Sequence, residues 1–344
     1  MIVKRGMNLK QAMKWSGHHV IWLLLWSSSV AFLYVYNLIE VKLPWLPISI
    51  IGTAVAFYVG FKNNSAYDRM WEARKIWGGI VNSSRSWGMY VDGFITNQFA
   101  DASLSDMEIK IVKSRLIYRH IAWLYALRSQ LLVSTEWEHI NQNILYRISS
   151  QLMQKNYGLG LVEDELTGDE LQRFLPKGEH DCLLNASNTA TQIINEQSRD
   201  IRTLRSDGLV DDFRHMELSK TLSAFYDHQG KAERIKKFPL PRQYANLSRI
   251  FIGIFIFLVP FSMIPSLMNL GTWGAAISVM MTALIGWVYI MMEIVGDYSE
   301  NPFQGMANDI PMLSLCRTIE IDLLEMLGET DLPAPIKPKK GVLM

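Results

Sequence analysis

Residues 20–39 read VIWLLLWSSSVAFLYVYNLI and contain no charged side chain. Residues 43–61 and residues 250–292 are uncharged as well. These three runs, of 20, 19 and 43 residues, constrain the fold more than any other feature. A helix of about 20 apolar residues crosses a bilayer core. Inside hydrocarbon the backbone must bond to itself, which leaves helices as the economical spanning element. The longest run has room for two spans, with NLGTWG around Gly271 as its breaker. Four transmembrane helices are therefore expected. The first is not expected to be a signal peptide, because its apolar stretch is long and no small-residue cleavage site follows.

Basic residues set the expected orientation. Lys4, Arg5, Lys10 and Lys14 precede the first run without an acid among them. Lys62, Arg69, Arg74 and Lys75 follow the second. The loop between these two runs has only Glu40 and Lys42. The positive-inside rule then puts both termini in the cytoplasm, together with residues 62–249. Net charge is +1, so no global field argues for a nucleic-acid partner. Two distant cysteines, Cys182 and Cys316, make neither a disulfide framework nor a metal spacing.

The stretch between the second and third runs is helical in pattern. Ile109, Val112, Leu116, Ile121 and Leu124 recur near a 3.6 spacing, with Ser105 or Asp106 as a candidate cap. Further helices are expected over residues 141–158, 185–208 and 218–238, and a loop with short helices over 160–182. No sustained period-two alternation and no internal repeat stand out. The expected organisation is a cytoplasmic segment over 1–19, two spans over 20–61, a cytoplasmic helical domain over 62–249, two spans over 250–292, a cytoplasmic segment over 293–329 that packs on that domain, and a Pro- and Lys-rich disordered tail over 330–344. The fold class is all-α.

The second run carries two stripes. Gly52, Ala56 and Gly60 recur every fourth residue, a spacing that lets helices approach closely in lipid. One position on, Thr53, Phe57 and Phe61 share a helix face. That face either packs on lipid and neighbouring spans or lines an axis where several copies meet. No ionisable residue lies within any run, which argues against a proton-coupled transporter. Phosphate-binding loops, zinc spacings and nucleophile elbows are missing too. No enzymatic chemistry and no cofactor is expected.

Three longer motifs carry a family resemblance. GFKNNSAYDRMWEARKIWG (60–78), QGKAERIKKFPLPRQY (229–244) and ENPFQGMANDIPMLSLCRTIEIDLLEMLGE (300–329) resemble the bestrophin ion channels of the bacterial and plastid branch. The resemblance implies a homopentamer with one ion pathway on its axis, lined at a narrow neck by the second span. It puts the neck at Thr53, Phe57 and Phe61, where Thr53 departs from the apolar side chains of relatives. A cytoplasmic aperture is implied near Phe213, with Arg214 beside it. Vertebrate members hold calcium after an Asn-Pro-Phe motif. Here Asn301 and Asp309 form only a remnant of that site.

The expected function is passive conduction of monovalent ions through a hydrophobic neck, in a bacterial inner membrane. The expected partners are other copies of the chain, the ions and the lipid bilayer. Lys62 at the inner mouth and Arg214 at the aperture tip the reading toward anions such as chloride. A sodium-type cation channel of the same fold and a non-conducting membrane scaffold are the alternatives.

Overall fold

The computed structural model describes residues 1–3, 6, 9–100, 104–138, 147–148, 171–175, 178–179, 183, 186–271 and 273–343. Among them there is no β-strand, only isolated bridges of Val342 with Ile2 and Lys339. The helices are α1 (Leu9–Val35), α2 (Trp45–Phe94), α3 (Asp106–Leu132), α4 (Thr189–Ser206), α5 (Asp212–Lys237), α6 (Arg242–Leu267), α7 (Gly274–Glu300) and α8 (Met312–Met326). Most of the helix expected over 141–158 lies outside the described residues, as do Lys4, Arg5 and Cys182.

The chain divides into two compact units. One comprises Lys4–Arg69 and Pro239–Glu300 and holds α1, the first half of α2, α6 and α7. The other comprises Met1–Val3, Met70–Phe238 and Asn301–Met344.

In the first unit, four helical segments are long and apolar enough to cross a membrane. Leu23, Val55, Val59, Phe255, Ile256 and Ile290 belong to their shared core. The first span differs from expectation at its end. α1 stops at Val35, and Asn37 turns the chain with a left-handed φ of 52°. Trp22 and Tyr36 are exposed, as lipid-facing aromatics should be, whereas Trp26 stacks on Phe257 and Tyr34 is buried.

Pro260 and Pro265 lie inside the third span, where a proline removes a backbone donor and commonly kinks a helix. α6 nonetheless runs unbroken through both. A proline at position 265 cannot donate to the carbonyl of Phe261. The Leu43 N–H and the Tyr34 hydroxyl donate to it instead, each at 3.3 Å. The acceptor freed by Pro265 is satisfied, so the helix has no need to open there.

Among the described residues α2 is the longest helix, at 50 residues. At about 1.5 Å per residue it is roughly 75 Å long, far more than a bilayer core requires. Its buried positions Gly52, Val55, Val59, Lys62, Ala66, Met70, Ala73, Trp77 and Ile80 follow one another three or four residues apart. One buried face thus runs along the helix, and Lys62 is its one charged member, although the helix as a whole gains charged residues after Phe61. No proline follows Pro47 in this helix, so nothing local stops it.

In the second unit α3 is the central helix. It packs on α4, α5 and α8, and residues 116–128 are buried almost all round except at Tyr118. Ser105 caps it, accepting from the Glu108 N–H while the Glu108 carboxylate accepts from the Ser105 N–H. This reciprocal pairing satisfies backbone donors that the first turn leaves open. α4 ends on Gly208, whose φ is +70°. A Cβ there would lie 2.4 Å from the Phe99 carbonyl oxygen, so both conformation and space require glycine. Cys316 is buried against the Leu124 carbonyl.

The tail is not disordered in this structure. Leu332 and Ile336 pack against the core of this unit, and Val342 is buried. The Val3 N–H donates to the Gly341 carbonyl at 3.0 Å. Scattered apolar residues anchor a stretch whose proline and lysine content suggested none.

Candidate functional site

Thr53, Phe57 and Phe61 fall on the exposed face of α2, opposite its buried row. Phe57 is 66% exposed and Phe61 65%. The Thr53 hydroxyl donates to the Ser49 carbonyl at 2.9 Å, so its proton is spent on the helix itself. The small-residue stripe divides. A Cβ on Gly52 would lie 2.7 Å from the Phe255 ring, so Gly52 seats α6 within the same chain. Gly60 meets nothing within 4 Å and is exposed.

Lys62 is not at an open mouth. Its side chain is fully buried, turned away from the two phenylalanines. The ammonium donates to Glu293 Oε1 and Asp297 Oδ1, both at 2.6 Å, and to Ser248 Oγ at 3.2 Å. Arg249 reaches the other Asp297 oxygen at 3.2 Å. Two cations thus balance two carboxylates. The reason is register: Lys62 follows Phe61 by about 100° on the helix, which rotates it into the buried row. Pairing is what allows a charge there at all.

Arg69, Glu72 and Lys75 lie at a spacing of three, which allows pairing along a helix. Arg69 and Glu72 have partners on other helices. Arg69 Nε donates to the Glu300 carbonyl at 3.0 Å, and Glu72 meets Arg234 of α5.

Phe213 stands at the first turn of α5, 85% exposed. Asp211 caps that turn, accepting from the Phe213 and Arg214 N–H groups at 2.8 and 3.1 Å. Arg214 is held on several sides. It pairs with Asp211 at 3.0 Å, donates to Thr96 Oγ1 and Gln98 Oε1, and lies over the Phe99 ring at 5.4 Å. Phe99, Arg202, Arg205 and Phe213 line one open cleft of about 830 Å³.

Asn301 and Asp309 are both buried in the loop before α8. Asp309 Oδ2 accepts from the Gln304 and Met306 N–H groups at 2.8 and 2.9 Å. Burial pushes this carboxyl up to about 7, although those bonds and the charges of the amino terminus and Lys236 pull it down. Calcium takes six to eight oxygens, usually with several carboxylates. Among the described residues no group of three or more His, Cys, Asp or Glu side chains comes together. The loop uses Asp309 to hold its own backbone, and the residues present do not fit calcium.

Comparison with known proteins gives a consistent picture. Residues 17–325 match the family described as Bacterial/Fungal Bestrophin protein. The voltage-dependent anion channel-forming protein YneE of Escherichia coli (strain K12) is 26% identical, over 92% of this chain and 88% of its own. The voltage-dependent anion channel-forming protein mll4386 of Mesorhizobium japonicum is also 26% identical, over 82% and 75%. In solved structures, a bacterial Bestrophin homolog from Klebsiella pneumoniae superposes with a TM-score of 0.73 at 21% identity, covering 91% of this chain and 98% of its own. That last likeness speaks for the fold.

Proposed function

The chain belongs to the bacterial/fungal Bestrophin family, whose members are ion channels rather than enzymes, and on that premise we propose that it forms a homopentameric channel with α2 lining the axis. The observation that carries the reading is the exposed face of α2. Phe57 and Phe61 stay two-thirds exposed while the opposite face of the same helix is packed throughout. Lipid alone can cover exposed phenylalanines. The same face continues past the apolar run into Asn64 and Asp68, both polar and exposed, as a path leading from the neck into water requires.

In this reading five Phe57 and five Phe61 side chains close a narrow apolar neck, with Thr53 at its outer end. Such a neck excludes water and raises the barrier to any ion, so it gates by dewetting. Phenyl edges turned to the axis favour anions, and faces favour cations. The printed names of the curated relatives speak for anions. Neither basic residue expected to favour anions supports that choice here: Lys62 is neutralised and buried, and Arg214 is engaged by Asp211 and its neighbours. Small monovalent ions are the proposed cargo. The basic residues flanking the spans support cytoplasmic termini and an inner-membrane site.

Purified protein in liposomes tests this directly. The reading predicts ion flux above empty vesicles and a cross-linking ladder that ends at five. Vesicles that pass no ions, with a ladder ending at another number, would leave a scaffold as the better description.

A further inference from the structure

With Lys62 removed from the path, the question becomes which charge stands nearest the inner end of the neck. An exposed aspartate on a helix is ordinarily a solvated surface group. Asp68 is singled out by register. At about 100° per residue, Phe61 lies about 40° from Phe57 around α2, and Asp68 about 20° from each. It therefore bisects the two aromatic positions. It lies seven residues beyond Phe61, about 10 Å along the axis. Asn64, also exposed, comes between them on the same face. The intervening charges are drawn off: Lys62 is buried between Glu293 and Asp297. Arg69, next along the chain, turns to the Glu300 carbonyl. Glu72, four residues beyond Asp68, is paired with Arg234, and Lys75 comes about 10 Å further along the helix than Asp68, beyond a Debye length of about 8 Å at physiological ionic strength.

We propose that Asp68 is a specificity-determining residue, and that one Asp68 carboxylate from each copy draws monovalent cations to the inner end of the neck. The inference rests on the channel reading above. A cleft lined by one sign of charge raises the local concentration of its counter-ion by about tenfold or more. An apolar neck supplies no competing charge of its own. The sign of the ion waiting at its mouth is then set by the nearest unneutralised ring.

The test is the sodium-to-chloride permeability ratio of the full chain in planar bilayers under a salt gradient. Asp68→Asn should lower the ratio about threefold or more, and Asp68→Glu should keep it, since the gain at stake is about tenfold. The unaltered channel offers a second measurement that no folding defect can spoil. Its cation preference should weaken as salt is raised from about 0.01 M to about 1 M, because the Debye length falls from about 30 Å to about 3 Å. A ratio unchanged by Asp68→Asn, or one indifferent to salt, overturns the proposal while leaving the channel intact. Absence of any current in the unaltered protein overturns the channel reading instead.

Discussion

Lys62 Nζ stands 2.6 Å from Glu293 Oε1, across 231 residues of sequence, with the lysine side chain fully buried. This pair, with Asp297 and Ser248, ties α2 to α6 and α7 one residue beyond Phe61. It therefore fixes how the helix is rotated where its exposed aromatic face ends.

Removing one side of such a cluster should cost more than the pair itself contributes. Lys62→Met leaves the buried Glu293 without its cation and Asp297 with Arg249 alone, and the expected loss is about 3–5 kcal/mol. Adding Glu293→Gln to Lys62→Met removes the unpaired charge, leaves Asp297 with Arg249, and should recover much of that loss. Thermal unfolding in detergent, followed by tryptophan fluorescence, compares the two. A single variant as stable as the unaltered protein would mean that the cluster is solvated.

Gly296 faces Asn63 at close range. A Cβ on Gly296 would lie 2.0 Å from Asn63 Oδ1, and the Asn63 amide donates to the Met292 carbonyl at 2.8 Å. Gly296→Ala must displace the Asn63 amide and disturb its bond to the Met292 carbonyl, at about 1–3 kcal/mol. Gly60→Ala meets nothing within 4 Å in its own chain and should leave monomer stability unchanged. Chemical denaturation of both variants checks the contrast, which fails if the two behave alike.

How much of this was legible beforehand divides along the range of each interaction. The four spans could be read because the bilayer criterion depends on about 20 neighbouring residues. The Ser105 cap could be read because its partner is three residues away. The fate of Lys62 could not, because its partners lie 231 and 235 residues on. A signal was nevertheless present. Lys62 occupies the buried register of Gly52, Val55, Val59 and Ala66, and Glu293 and Asp297 share one face just past the end of the last apolar run. The tail was misread because composition outweighed Leu332, Ile336 and Val342, three apolar residues whose contacts are distant in sequence.

His120 should make stability fall in acid. It is buried among Trp87, Trp123 and Phe225, and its Nε2 lies 2.9 Å from the Ser84 hydroxyl. Burial lowers its pKa from 6.5 to about 3. Between these values the unfolded chain binds a proton that the folded chain refuses. Stability is then fully present above the unfolded value and is lost as pH falls from about 6.5 toward 3, by up to about 1.4 kcal/mol per pH unit. Unfolding midpoints of the unaltered protein and His120→Gln at pH 7, 5.5 and 4.5 check this. The variant should lose less with acid, and equal slopes would assign the acid sensitivity to other groups.

The most direct test of the central claim is single-channel conductance of the chain carrying Phe57→Ala and Phe61→Ala. Both side chains are exposed in their own chain, so folding should be unaffected. If they form the neck, their removal widens and wets it, and conductance rises well above that of the unaltered channel. Equal conductance in the two proteins would contradict the assignment and place the narrowest part of the path elsewhere.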